Sequence, residues 1–134
     1  MSQENVEIVR GMFDAYLSGD AQRGIAAVHP EVEWDFSGYP LPDWPDTGEG
    51  RADYVRNLGY YLRGWQDYRS EVREVIDAGD DVFVALHETV ALRESGAVLD
   101  RDIYQLCTVR GGLITRLRVF KAKDEALEVA GLRK

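Results

Sequence analysis

The chain holds one cysteine, two histidines and four prolines in 134 residues. A lone Cys107 cannot close an internal disulfide, which fits a reducing compartment. His29, His87 and Cys107 are the soft ligands and lie far apart in sequence, so no metal and no cofactor are expected. Positive charge is also scarce. Sixteen basic residues against 24 acidic ones leave a net charge of −8, which argues against a nucleic-acid partner. No apolar run approaches the ~20 residues that span a bilayer, so no membrane partner is expected. The opening Met1-Ser2-Gln3-Glu4 has no basic segment leading into an apolar core. No secretory signal is read there, and a cytoplasmic location is expected.

What is present is ample apolar material. With 45% apolar residues, a chain of this length forms one domain, residues 1–134, burying roughly two-thirds of its unfolded surface. Val6, Val9, Phe13, Tyr16 and Leu17 recur at helical spacing, with Ser2 as a possible N-cap. Gly19 stops that helix and Asp20 caps a second over 21–28. Residues 32–36 alternate like a strand, and 37–50, with Pro40, Pro42 and Pro45, read as a loop that could form a lid. Tyr54, Val55, Leu58, Tyr61, Leu62 and Trp65 restore the helical period. Residues 68–76 predict a strand whose alternation slips near Val75, as at a bulge. A short helix over 124–130 is closed by Gly131. The order predicts an α+β domain in which a strongly curved sheet wraps N-terminal helices as a cone.

The most informative stretch lies between these elements. Runs at 82–93 and 97–109 flank Ser95-Gly96, and Leu113–Phe120 follows Gly111-Gly112. Such spacing predicts a three-stranded antiparallel meander. An even loop at Ser95-Gly96 sets Leu86 against Gln105, Glu88 against Ile103 and Val90 against Arg101. His87 falls on the opposite face, against Tyr104. One face then reads Val84, Leu86, Glu88, Ile103, Gln105 and Cys107, mostly apolar with a carboxylate and an amide close together. A carboxylate on an apolar wall loses hydration and becomes a candidate general acid or base. The last strand has two solutions. A two-residue turn pairs Arg118 with Gln105 and completes a row with Glu88; a three-residue turn points Thr115, Leu117 and Val119 inward instead. Apolar residues remain on the other face, and a two-fold homodimer is the simplest way to cover them.

Trp34, Phe36, Tyr39, Trp44, Tyr54, Tyr60, Tyr61, Trp65 and Tyr68 crowd one third of the chain and suit the wall of an apolar ligand site. Residues 5–16 with Ser18-Gly19-Asp20, then His29-Pro30-Glu31-Val32-Glu33-Trp34, Ile76-Asp77-Ala78-Gly79-Asp80, the strand after Gly112, Glu125-Ala126-Leu127 and Ala130-Gly131-Leu132 follow in order. This series resembles the SnoaL-like branch of the nuclear transport factor 2-like superfamily over nearly the whole chain. The resemblance implies a conical, cystatin-like α+β barrel, a deep apolar pocket and frequent homodimers. Relatives include polyketide cyclases, ketosteroid isomerases and limonene epoxide hydrolases, so fold alone selects no activity.

The resemblance to ketosteroid isomerases places their proton-shuttling Asp at Phe36, their oxyanion-hole Tyr at Met12 and their protonated Asp at Gln105. None of the three can move a proton readily. A slip of one residue would bring Asp35 to the base position. Asp100-Arg101-Asp102 invites comparison with an Asp-Arg-Asp relay, but alternation turns only Arg101 inward. The expected catalytic set is therefore Glu88, Gln105 and Asp35. The expected ligand contacts are Met12, Tyr16, Trp34, Phe36, Tyr54, Trp65, Leu86, Ile103 and Arg118. Three functions stay open, the first two being a cofactor-independent cyclase or isomerase acting on a hydrophobic carbonyl or polyketide-like compound, and a non-catalytic module binding an apolar metabolite. A dimerising scaffold is the third.

Overall fold

The computed structural model describes residues 2–38, 47–63, 65–93 and 95–132, with backbone alone at 2, 60–63 and 65. Tyr39 and Trp44, and most of the expected lid, lie outside the described residues, as do the side chains of Tyr60, Tyr61 and Trp65. Helix α1 (Ser2–Leu17) buries Val9 and Phe13 of the expected stripe together with Met12 and Ala15, while Val6 and Tyr16 are partly buried and Leu17 is exposed. It stops at Gly19, whose φ of +87° favours a residue without Cβ. Asp20 then caps α2 (Ala21–Ile25) by accepting from the Arg23 N–H at 3.1 Å.

The second helix is shorter than its sequence suggests. Val28 opens strand β1 (Val28–Asp35), because it pairs with Ile114 and the Ile114 N–H donates to Ala27 O at 2.8 Å. Tertiary pairing overrides local propensity there. Strand β2 (Thr47–Glu49), inside the segment read as loop, forms only by pairing with the end of β1. Helix α3 (Arg51–Arg63) and strands β3 (Trp65–Ala78), β4 (Asp81–Leu92), β5 (Val98–Arg110) and β6 (Leu113–Phe120) follow, and α4 (Lys123–Val129) ends the fold.

The strands form one curled sheet in the order β2-β1-β6-β5-β4-β3, antiparallel except for the β1–β6 pair. The sheet is not a closed barrel, since β2 and β3 remain at its edges. Its concave face packs α1 and α3 around Val32, Trp34, Val82, Val84, Cys107, Ile114 and Leu117. Its convex face buries Phe83, Ala85, Leu106 and Phe120 beneath Ala126 and Leu127 of α4. Part of the apolar outer face, which prompted the expectation of a dimer, is thus covered by the chain itself.

Gly48 shows how tightly the narrow end is packed. It stands opposite Trp34 in the β1–β2 ladder, and a Cβ there would lie 2.2 Å from Trp34 Cζ2. Trp34 is buried and cannot step aside. Gly48→Ala should therefore lower stability by about 1–3 kcal/mol, with altered tryptophan fluorescence. Gly11→Ala, on α1 with open space around it, should instead stabilise by up to about 1 kcal/mol. Denaturant midpoints of the two variants check the pair.

Candidate functional site

The register of the meander decides which side chains meet. Strands β4 and β5 pair Val84 with Gln105, Leu86 with Ile103, and Glu88 with Arg101. The facing of every residue agrees with the alternation, but the ladder is displaced by two residues from the expected one. The cause is a longer connection: the ladder ends at Ala91 and Val98, with the Leu92 N–H donating to Ala97 O at 2.9 Å, so it closes two residues earlier along β4 than a two-residue Ser95-Gly96 turn requires. Glu88 consequently meets Arg101, while Gln105 lies four residues further along β5, about 13 Å away. Glu88 and Gln105 are not neighbours.

The last strand combines features of both solutions. Gly111 and Gly112, at φ +59° and +80°, make the two-residue turn that such dihedrals favour in a hairpin. An irregularity between Thr108 and Val109 then shifts the pairing, so that Leu117 faces Cys107 and Val119 faces Gln105. Leu117 and Val119 point inward and Arg118 points out, which breaks the expected row of Glu88, Gln105 and Arg118. Arg118 lies 3.5 Å from Asp81 in a polar depression on the convex face. Burial first, and then the neighbouring Arg116, lower the pKa of its guanidinium.

Between the helices and the concave face lies a cavity of about 170 Å³. Met12, Phe13, Tyr16 and Leu17 of α1 and Tyr54, Asn57 and Leu58 of α3 line one side; Leu86, Ile103, Gln105, Leu117 and Val119 line the other. Phe36 closes the end beyond β1. Of the expected ligand contacts, Met12, Tyr16, Phe36, Tyr54, Leu86 and Ile103 reach this space. Trp34 does not; it packs behind Phe36, ring centroids 5.5 Å apart, in the core. Asp35 does not either. It lies across from Arg118 at the end of β1 and accepts from the Ser37 N–H at 2.9 Å and hydroxyl at 2.6 Å.

Besides Asn57 and Ser70, polar groups interrupt the apolar wall at three places. The first is Glu88, whose side chain is 3% exposed. Arg101 donates to its Oε1 from Nε and Nη2, each at 3.1 Å, and the Tyr68 hydroxyl donates to Oε2 at 2.7 Å. Charge-assisted bonds of this kind fix a carboxylate firmly. The second place is a pair of tyrosine hydroxyls, Tyr16 and Tyr54, 3.1 Å apart. Burial pushes Tyr16 up to about 12, against the opposing hydrogen bond from Tyr54. Tyr54 is raised well above the ordinary tyrosine value, first by burial and then by Tyr16. Both stay neutral at physiological pH. Two hydroxyls sharing one hydrogen bond keep one O–H proton to donate elsewhere. The third place is Gln105, whose side chain makes no hydrogen bond among the described residues.

Sequence reasoning set Arg101 on the inner face and offered it, with Arg118, as a partner of a rim Glu88; the structure selects Arg101 and buries the pair. It counted Tyr68 in the aromatic cluster without bringing it to the site, and it missed Ser70 and Asn57. For Tyr68 the reason is the register shift between Val72 and Glu74, which reverses facing along β3. The slip in alternation near Val75 was the visible signal. Cys107 lies deep in the core, its thiol pushed up to about 12 by burial. Among the described residues no group of His, Cys, Asp and Glu could hold a metal ion, and no helix is long and apolar enough to cross a membrane.

A curled sheet enclosing two helices and an apolar cavity is the fold of nuclear transport factor 2-like proteins. The family model of the SnoaL-like domain matches residues 9–117, and the chain belongs to that family. No curated protein matches it. Among solved structures, TerC co-crystallised with polyporic acid is 23% identical, with a TM-score of 0.75 over 96% of this chain and 98% of that one. A nuclear transport factor 2-like protein from Burkholderia thailandensis is 24% identical, with a TM-score of 0.78 over 95% of each chain. A protein described as a SnoaL-like polyketide cyclase from Jannaschia is 21% identical, with a TM-score of 0.76 over 99% of this chain and 94% of that one. At such identities the likeness is one of fold.

Proposed function

We propose that the protein binds a compact hydrophobic carbonyl or polyketide-like compound and isomerises or cyclises it by acid–base chemistry, without a cofactor. The observation that carries this reading is Glu88: a buried carboxylate on an apolar wall, oriented by Arg101 and Tyr68. A carboxylate placed so can take a proton from the carbon beside a carbonyl. The free O–H of the Tyr16–Tyr54 pair can donate to the enolate oxygen that forms, and a water-poor site strengthens that bond. Gln105 contributes a hydrogen bond to the far end of the ligand.

The test is hydrogen exchange into simple enolisable ketones in D2O, followed by proton NMR. Wild-type protein should accelerate exchange beside the carbonyl, and Glu88→Gln should lose about 10²–10⁴-fold of that acceleration. Equal exchange in both proteins would remove Glu88 from the chemistry.

The second reading, a binding module without catalysis, draws on the same residues. Both Glu88 oxygens already accept hydrogen bonds, and Gln105 carries no titratable group. Polyporic acid, the compound co-crystallised with TerC, is the first ligand to try by thermal shift. Binding without exchange would favour this module. The homodimer and the cytoplasmic location belong to the same proposal, and sedimentation velocity checks the first of them.

A further inference from the structure

Behind the Glu88–Arg101 pair, on the convex face of the same hairpin, His87 lies between two carboxylates. Its Nδ1 is 2.7 Å from Asp102 Oδ1, and its Nε2 meets Asp100 Oδ1. Asp100 and Asp102 are the two chain neighbours of Arg101, and alternation turns Arg101 alone into the cavity. A neutral imidazole has one N–H, so it can donate to one carboxylate only and must turn a lone pair toward the other. The two contacts together require the imidazolium.

We propose that His87 is a positioning residue: protonated, it ties Asp100 and Asp102 to β4 and holds the backbone that presents Arg101 to Glu88. Deprotonation gives up one of the two ties, and the Glu88–Arg101 pair becomes sensitive to pH. This role rests on that pair being the working part of the cavity.

The charges around His87 set the direction of its titration. Asp100 and Asp102 face it from β5, and Glu71 stands directly across on β3. Arg73, 3.1 Å from Glu71, and Arg69, across from Thr89 and 3.5 Å from Asp67, are the cations on that side. The Asp102 hydrogen bond is the largest influence and raises the His87 pKa, with Asp100 adding to it; partial desolvation and Arg73 oppose them. With the folded value above the unfolded one, the stabilisation is complete below about pH 6.5. It is lost as pH rises through the folded value. Either contact alone, between partly exposed groups, is worth little. The leverage comes from one ring gripping both neighbours of Arg101.

The experiment is a pH titration of the full chain by NMR, following the His87 ring and the Arg101 Nε–H. The Arg101 signal should move with the His87 midpoint, and its exchange with water should rise about tenfold above it. In Asp102→Asn both midpoints should fall together. In His87→Gln the Arg101 signal should lose its pH dependence across that range. An Arg101 signal that stays flat while wild-type His87 titrates overturns the proposal, and so does one that still titrates in His87→Gln. The wild-type titration decides the matter even where a variant folds poorly. These signals need no ligand, so their failure is separate from a failure of the ketone exchange test.

Discussion

Replacing Arg101 with methionine should cost about 3 kcal/mol at neutral pH, a fall of about 10 °C in Tm. Glu88 is almost wholly enclosed and would keep its bond to Tyr68 while losing the guanidinium that donates twice to Oε1. Arg101 is 23% exposed, so solvent moderates the loss, and the figure sits at the lower end for a broken buried pair. The informative variant is the double one. Methionine at both Glu88 and Arg101 removes the pair and leaves no carboxylate short of its cation, and should recover most of the stability. Thermal melts of the four proteins complete the cycle. A double variant no more stable than Arg101→Met would mean that the pair is not where the cost lies. In the proposed chemistry the double variant is inactive even though stable, because a site built for function retains a charge that the fold alone does not need.

Phe83→Ala should cost more, about 3–5 kcal/mol or roughly 10–20 °C in Tm. Phe83 is fully buried between the convex face and α4, stacked 6.3 Å from Tyr104. Little around it can collapse into the space, since the sheet backbone is rigid and α4 is held by Ala126 and Leu127. The cavity lies on the other side of the sheet, so ligand affinity should survive the change at temperatures where the variant is folded. Leu117→Ala, with a fully buried leucine that also lines the cavity, should cost about 3–5 kcal/mol and also admit a larger ligand. Comparing the two by thermal shift with a graded series of apolar probes separates core from pocket. If Phe83→Ala altered probe selection as much as Leu117→Ala, the two faces would be coupled in a way this architecture does not provide.

Much of this protein could be read from its residues in order. Local signals are strong where the chain alternates and turns at glycine: β6 was bounded correctly from Gly111-Gly112, and Gly19-Asp20 divided α1 from α2. The facing of β4 and β5 was also legible, because side-chain direction along a strand needs only parity. That was enough to place Glu88, Arg101 and Gln105 on one face and His87 on the other. The slip in β3 showed as broken alternation near Val75, but the length of the turn and the irregularity at Thr108 were not readable, because each is settled by which backbone ladder closes across the sheet. Pairing therefore joined Glu88 to Arg101 rather than to Gln105 and turned Arg118 outward. It also brought Tyr16 of α1 to Tyr54 of α3, hydroxyl to hydroxyl, from positions 38 residues apart. The sequence by itself determined most of the elements, short β2 excepted, their order and the faces of the central strands, because those follow from periodicity within a few residues. Only the tertiary structure decided which polar groups meet in the cavity, because a shift of register leaves the pattern of each strand intact while changing every partner across it.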